Sequence, residues 1–291
     1  MFQGSMVALV TPMHTDGSVD YPCLEKLVDM HADAGTDAIV AVGTTGESAT
    51  LNYDEHCDVV RFVVEKANKR VPVIAGTGSN STREAVELGL CAKKAGAAGT
   101  LVVTPYYNKP TQHGLYEHYK LLAESVDLPM ILYNVPGRTA VDMLPETVAK
   151  LANLPNIIGI KEASGSLDRI AELVKSCGEN FTVLSGDDDL ALAAVAIGGK
   201  GVISVTANVA PKRMHQAFNA ALAGNMEKAR ELNEILTGLH RDLFIEANPI
   251  PVKWALQELG LIKEGIRLPM TFLSEEKRPA VRQALVQAQL L

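Results

Sequence analysis

The sequence is short of several things, and each shortage excludes a class. It has four cysteines, Cys23, Cys57, Cys91 and Cys177, scattered and never as CxxC. Neither a zinc ribbon nor a disulfide framework is indicated. Three of them fall in helical patterns and read as plain buried thiols. Such cysteine usage suits a reducing, cytoplasmic setting. No apolar run approaches the roughly 18 residues that a membrane-spanning helix needs. The amino-terminal MFQGSMVALVTP lacks the basic stretch of a signal peptide. Positive charge is also scarce: 27 Lys and Arg face 34 Asp and Glu, a net charge of −7, with no basic cluster. Nucleic acid is therefore not an expected partner. There is no GK[ST] of a P-loop, no HxH and no HExxH. What remains is ordinary for a soluble globular chain: 291 residues, 47% hydrophobic and 21% charged.

Eight short β-like runs punctuate the chain: MVALV (6–10), AIVAV (38–42), VPVIAG (71–76), GTLVVT (99–104), MILYNV (130–135), NIIGIK (156–161), FTVLSG (181–186) and GVISVT (201–206). Helical patterns separate them, over 20–34, 52–68, 81–94, 112–125, 144–152, 166–176 and 188–197, and another follows at about 210–222. Strands apolar on both faces, each followed by a helix, imply a parallel sheet covered by helices. Eight such units predict an α/β fold of the closed (β/α)8 TIM-barrel type. The rival is a doubly wound sheet, but the first strand runs into TPMHTDG, which offers no dinucleotide loop. After the eighth unit the pattern changes. NMEKARELNEILTGLHRDLF, NPIPVKWALQELG and SEEKRPAVRQALVQAQ are helical with no strand between them. The expected organisation is a barrel over 1–224 and a C-terminal helical domain over 225–291.

A barrel gives positions meaning, because catalytic groups gather at the carboxyl ends of its strands. Lys161 ends the sixth strand, Tyr133 lies late in the fifth, and Thr44 and Thr45 follow the second. Tyr106 and Tyr107 follow the fourth, and Arg138 follows the fifth in NVPGRT. A side-chain period of two would point Lys161 inward with Gly159 and Ile157, and Tyr133 inward with Ile131. An amine in such a place can attack a carbonyl when unprotonated, a form that an apolar pocket favours. Condensation with a ketone gives an iminium, an electron sink that allows loss of the adjacent proton to an enamine. Tyr133 is then a group for proton transfer. The alternatives are a lysine that snorkels to solvent or pairs with Glu162, and a lysine that holds pyridoxal phosphate.

Other stretches have both bland and functional readings. VGTTGE pairs two glycines with two hydroxyls, which form either a structural turn or a cradle for a carboxylate. GTGSNST (76–82) leads into a helix that Asn80, Ser81 or Thr82 caps. Asp187, Asp188 and Asp189 are explained by helix capping and the helix dipole rather than by a metal. His56 and His118 sit within helical patterns and read as structural.

Taken together, GTTGES, GTGSNST, TPYYNKP, YNVPGRT and KEASG, in this order and spacing, resemble the family of 4-hydroxy-tetrahydrodipicolinate synthases, also called dihydrodipicolinate synthases. The family belongs to the superfamily of Schiff-base aldolases and lyases that includes N-acetylneuraminate lyase. The resemblance spans essentially the whole chain. It implies a lyase of the class I aldolase type that joins pyruvate to L-aspartate 4-semialdehyde on the route to diaminopimelate and lysine. It implies no cofactor and no metal, no membrane, and usually a homotetramer built as a dimer of dimers. By the same resemblance, Lys161 forms the Schiff base, and Tyr133, Thr44 and Tyr107 make a proton relay in which Tyr107 comes from the partner subunit. Thr45 binds the pyruvate carboxylate, Arg138 holds the semialdehyde carboxylate, and the backbone around Gly186 and Ile203 lines the pocket. Arg138 separates the synthase reading from the sialic-acid lyase branch, whose members generally lack it. The runner-up is another pyruvate-dependent aldolase of the superfamily, and a non-enzymatic scaffold is the other class of explanation. The resemblance also implies an allosteric L-lysine cleft built from Ser48, Ala49, Tyr53, His56, Asn80, Glu84 and Tyr106, with Tyr53 standing where a histidine is common. Ordinary subunit packing is the alternative for that group.

Overall fold

The computed structural model describes residues 2–291. Each of the eight apolar runs forms a strand: β1 (Gly4–Ala8), β2 (Ala38–Ala41), β3 (Val73–Gly76), β4 (Gly99–Val103), β5 (Met130–Asn134), β6 (Ile157–Glu162), β7 (Thr182–Ser185) and β8 (Gly201–Ser204). All neighbours pair in parallel, and β8 returns to β1, so the sheet closes into a (β/α)8 barrel. The closing seam is tight. Gly4 pairs with Gly201, and a Cβ on Gly201 would stand 2.0 Å from the Gly4 carbonyl oxygen. Only glycine permits that approach.

Helices cover the barrel: α1 (Tyr21–Ala34), α2 (Tyr53–Ala67), α3 (Thr82–Ala95), α4 (Gln112–Ser125), then a short α5 (Pro136–Thr139), α6 (Pro145–Leu151), α7 (Leu167–Cys177), α8 (Ala191–Ala196) and α9 (Pro211–Leu222). Five of these nine helices start on a side-chain cap, that of α3 among the candidates the sequence offers. Ser81 accepts from the Glu84 amide at the start of α3, and Asn52 forms a capping box with Glu55 at the start of α2. The tail holds α10 (Met226–Glu234), α11 (Thr237–Asp242), α12 (Ile250–Glu258) and α13 (Arg278–Gln287). The pattern read as one long helix at its start is two, α10 and α11. Leu236, Leu239, Leu243, Val252 and Leu256 of the tail are buried in the same core as Val7, Leu24 and Val59 of the barrel. The tail is thus packed onto the barrel rather than tethered to it.

The barrel interior is apolar, with Met6, Val40, Ile74, Leu101, Ile131 and Leu184 meeting inside. Tyr133 joins them, as the period of two predicts. The inward set of β6 needs correction. Met130 pairs with Ile157 but Ile131 pairs with Gly159, so a bulge sits in β6. Ile157 packs outward among the helices, and Ile158 packs against the interior. The extra residue shifts the alternation. The cysteine reading also needs correction. Cys57 of α2 and Cys91 of α3 form a disulfide, with Cα atoms 6.1 Å apart. Cys23 and Cys177 are free but only half-buried. Cysteine usage therefore no longer argues for a reducing compartment. Among the described residues, no helix is long and apolar enough to cross a membrane.

Candidate active site

Lys161 and Tyr133 are register partners on β6 and β5, so both side chains leave the sheet on the same side. Lys161 is 5% exposed, and its Nζ lies 4.5 Å from the centroid of the Tyr133 ring. It does not snorkel. It does not pair with Glu162 either. That carboxylate is turned to the other face, where it accepts from Asn134 Nδ2 (3.1 Å) and from the Ser164 amide (2.9 Å). Among the described residues, no carboxylate lies within 4.0 Å of Lys161 Nζ. A buried amine without an ion partner is costly and rarely structural. Gly186 makes room for it. A Cβ there would stand 2.7 Å from Lys161 Cε. The lysine chain runs directly over this glycine.

The amine opens into a cavity of about 160 Å³ at the carboxyl end of the barrel. Thr44, Thr45, Tyr133, Arg138 and Gly186 all line it. With Lys161, four stretches of the sequence (44–45, 133–138, 161 and 186) converge here because a parallel barrel brings all its strand ends to one rim. Thr45 is buried, and its Oγ1 accepts from Asn248 Nδ2 at 2.9 Å. Arg138 stands on α5, and its Nη2 donates to the Asn248 carbonyl at 3.2 Å. Ile203 is wholly buried among the interior side chains, and Val205, just past the end of β8, lines the cavity in its place.

Three residues that the sequence does not announce also belong to this cavity. Phe244 and Asn248 come from the tail and line part of the cavity wall. Asp187 lines the wall, so the capping explanation of the three aspartates fails. Asp187 accepts from the Gly165 amide, and Asp188 accepts from the Val205 and Thr206 amides. Helix α8 begins with no side-chain cap at all. Burial pushes the Asp187 carboxyl above its ordinary range, with the Gly165 N–H and the nearby Lys161 pulling the other way. Among the described residues, no cluster of side chains is arranged to hold a metal ion.

Tyr107 is not brought to this cavity in its own chain. It is 89% exposed, with φ +75°, on a loop pinned by the bond from Asn108 Nδ2 to the Asn80 carbonyl (2.8 Å). A large aromatic held outward in the left-handed region stores strain, a hallmark of functional loops.

A second cavity, of about 320 Å³, lies against the first and shares Thr44, Arg138 and Asn248 with it. Ser48, Ala49, Tyr53, His56, Glu84 and Tyr106 line it. Asn80, expected in the same cleft, does not line the cavity; its Nδ2 donates to the Tyr106 carbonyl at 3.2 Å. His56 Nε2–H donates to the Gly76 carbonyl at 2.8 Å, and burial lowers the pKa of its ring. Glu84 accepts from Ser79 Oγ at 2.5 Å.

Comparison with known proteins identifies the family. The model of the Dihydrodipicolinate synthetase family matches residues 1–288. The chain belongs to the dihydrodipicolinate synthetase family. Within it, the 4-hydroxy-tetrahydrodipicolinate synthase of Thioalkalivibrio sulfidiphilus is 61% identical over 288 residues, 99% of this chain and 98% of that one. A crystal structure of the chloride-inhibited dihydrodipicolinate synthase from Acinetobacter baumannii, complexed with pyruvate, is 54% identical and superposes with a TM-score of 0.99 over 100% of both chains. The dihydrodipicolinate synthase from Cyanidioschyzon merolae, solved with lysine bound, is 42% identical with a TM-score of 0.96, over 100% of this chain and 99% of that one. Like these dihydrodipicolinate synthases, the chain pairs a closed barrel with a helical C-terminal segment.

Proposed function

We propose that this chain condenses pyruvate with L-aspartate 4-semialdehyde, the reaction its closely similar relatives are named for. The observation that carries the reading is a buried lysine amine without an ion partner, facing a tyrosine ring in a cavity with a single guanidinium. In this reading, Lys161 Nζ attacks the ketone carbon of pyruvate and water leaves, giving an iminium. Loss of a methyl proton then gives the enamine, whose carbon attacks the semialdehyde. Tyr133 and Thr44 relay the protons. The Thr45 hydroxyl holds the pyruvate carboxylate, and Arg138 takes the carboxylate of the semialdehyde with its planar fork. Gly186 and the backbone near Ile203 complete the wall.

The same reading brings Tyr107 from a second copy of the chain. Its exposure and its strained backbone support a role outside its own barrel. The expected assembly is a homotetramer, a dimer of dimers. The 320 Å³ cavity is the proposed L-lysine site, with Glu84 and the Tyr106 ring to meet an ammonium. Lysine is the end product of the route and is bound in the Cyanidioschyzon merolae structure. Residues 1–224 make the catalytic barrel and 225–291 the helical domain that lines part of the cavity wall. The proposed compartment is the cytoplasm.

The decisive assay is pyruvate consumption with and without L-aspartate 4-semialdehyde. Consumption that requires the semialdehyde, and an Arg138→Ala variant whose semialdehyde KM rises about tenfold or more, are the expected results. Equal use of a semialdehyde without a carboxylate would move the chain to another pyruvate-dependent aldolase.

A further inference from the structure

Asn248 reaches both proposed substrate anchors at once. It precedes α12 in the helical tail, 203 residues from Thr45, and it is 5% exposed. Its side chain donates to Thr45 Oγ1, while its main-chain carbonyl accepts from Arg138. We infer that Asn248 is a positioning residue for pyruvate: its amide N–H occupies a lone pair of Thr45 Oγ1 and leaves the hydroxyl proton free to point at the pyruvate carboxylate. This rests on the proposed function.

The direction of that hydrogen bond decides the matter. A hydroxyl has one proton to give and two lone pairs. An amide nitrogen has no lone pair to accept with, so Thr45 cannot spend its proton on Asn248 as bonded here. The opposite orientation of the amide would put its oxygen against Thr45 and capture that proton. It would also leave both amide hydrogens buried without acceptors. The orientation present leaves Oδ1 and one amide hydrogen unpartnered, so it strands one buried donor hydrogen where the opposite one would strand two.

The reach of the amide is fixed by a clamp between the loop after β2 and the tail. Glu47 forms a buried ion pair with Lys253 of α12 and accepts from the Arg267 amide at 3.1 Å. Arg267 Nη1 donates to the Thr50 carbonyl at 2.6 Å, and its fork meets Glu55. These contacts hold the segment just after Thr45 against the part of the tail just after Asn248. Because the bond to Arg138 uses the backbone, truncating the Asn248 side chain cuts the pyruvate anchor and leaves the semialdehyde anchor in place.

The test is a double-mutant cycle read by borohydride trapping of the pyruvate imine and by steady-state kinetics. Asn248→Ala is expected to raise the pyruvate concentration for half-maximal trapping by about three- to tenfold. The semialdehyde KM should change by less than about twofold. Adding Asn248→Ala to Thr45→Val should raise the pyruvate requirement no further, because the hydroxyl it orients is already gone. Additive effects, or equal damage to both substrates, would overturn the role. If Asn248→Ala fails to fold, Asn248→Asp keeps the shape but cannot donate. It should raise the pyruvate requirement as well, and pyruvate binding at the wild-type level in that variant would overturn the inference. No adduct in the wild type would overturn the functional reading and this inference with it.

Discussion

Replacing Gly186 with alanine should disable the lysine without unfolding the barrel. The new Cβ would stand 2.7 Å from Lys161 Cε, 3.2 Å from Lys161 Cγ and 2.7 Å from Ala163 Cβ. Carbon atoms settle about 3.5–4.0 Å apart, so the lysine chain must shift by about 1 Å. The far end of the lysine yields, but the Ala163 Cβ is fixed to its backbone, so the segment just after β6 must shift slightly as well. The cost to folding is therefore that of modest overpacking, about 1–3 kcal/mol. The cost to chemistry is larger, since a displacement of about 1 Å at a reacting group can slow the step about 10²-fold. That factor corresponds to about 2.7 kcal/mol in the barrier. The assay quenches enzyme and pyruvate with borohydride at increasing times and follows the reduced adduct by intact mass. Thermal unfolding of the same sample reports the fold. A folded Gly186→Ala variant that forms the adduct at the wild-type rate would refute the claim that Lys161 lies against this glycine when it reacts.

Further outcomes follow from the remaining geometry. Mixing Tyr107→Phe subunits with Lys161→Ala subunits should give activity above both parents, because one site in each mixed dimer holds an intact Lys161 and receives an intact Tyr107. Verified mixed dimers without a gain would return Tyr107 to its own chain's site or remove it from the chemistry. Calorimetric titration should detect L-lysine binding to the wild type and at least tenfold weaker binding, about 1.4 kcal/mol, to Glu84→Ala; identical isotherms would exclude the 320 Å³ cavity. Stability should also fall in mild acid. Burial pushes His31 down to about 3 and His118 down to about 4. The unfolded chain protonates its histidines near pH 6.5, so between there and pH 4 it binds more protons than the folded chain. Stability from these two groups is complete above about pH 6.5 and is lost as pH falls, by about 1.4 kcal/mol per unit for each. Urea midpoints at pH 7 and pH 5 should differ less in a folded His31→Gln variant than in the wild type; an equal difference would show that His31 is not held neutral.

How far the sequence could be read depended on whether the deciding contacts were local. The eight strands are legible because each is a short apolar run between turn-forming residues, and a parallel sheet buries both faces. Lys161, Tyr133, Thr44 and Arg138 follow from that count, since strand ends share one rim. The strand limits shift where pairing, not pattern, decides: β1 starts at Gly4 because Gly4 meets Gly201 across the seam. The bulge at 157–159 depends on the register with β5 and leaves no trace in the composition of NIIGIK. Asn248 escaped because its partner lies 203 residues away. Its one local sign is an amide side chain ahead of the apolar stretch PIPV. Asp187 was obscured by its neighbours, since three acids before a helix are ordinarily caps. Cys57 and Cys91 carry no spacing motif, and only the packing of α2 against α3 brings them together.

The central claim is that Lys161 is the nucleophile toward pyruvate, and the direct measurement is the site of the trapped adduct. Borohydride reduction with pyruvate present, proteolysis and peptide mass spectrometry should find one modified lysine per chain, in the peptide that carries KEASG. Lys161→Ala should give none while remaining folded. An adduct on another lysine, or one that persists in Lys161→Ala, would contradict the account.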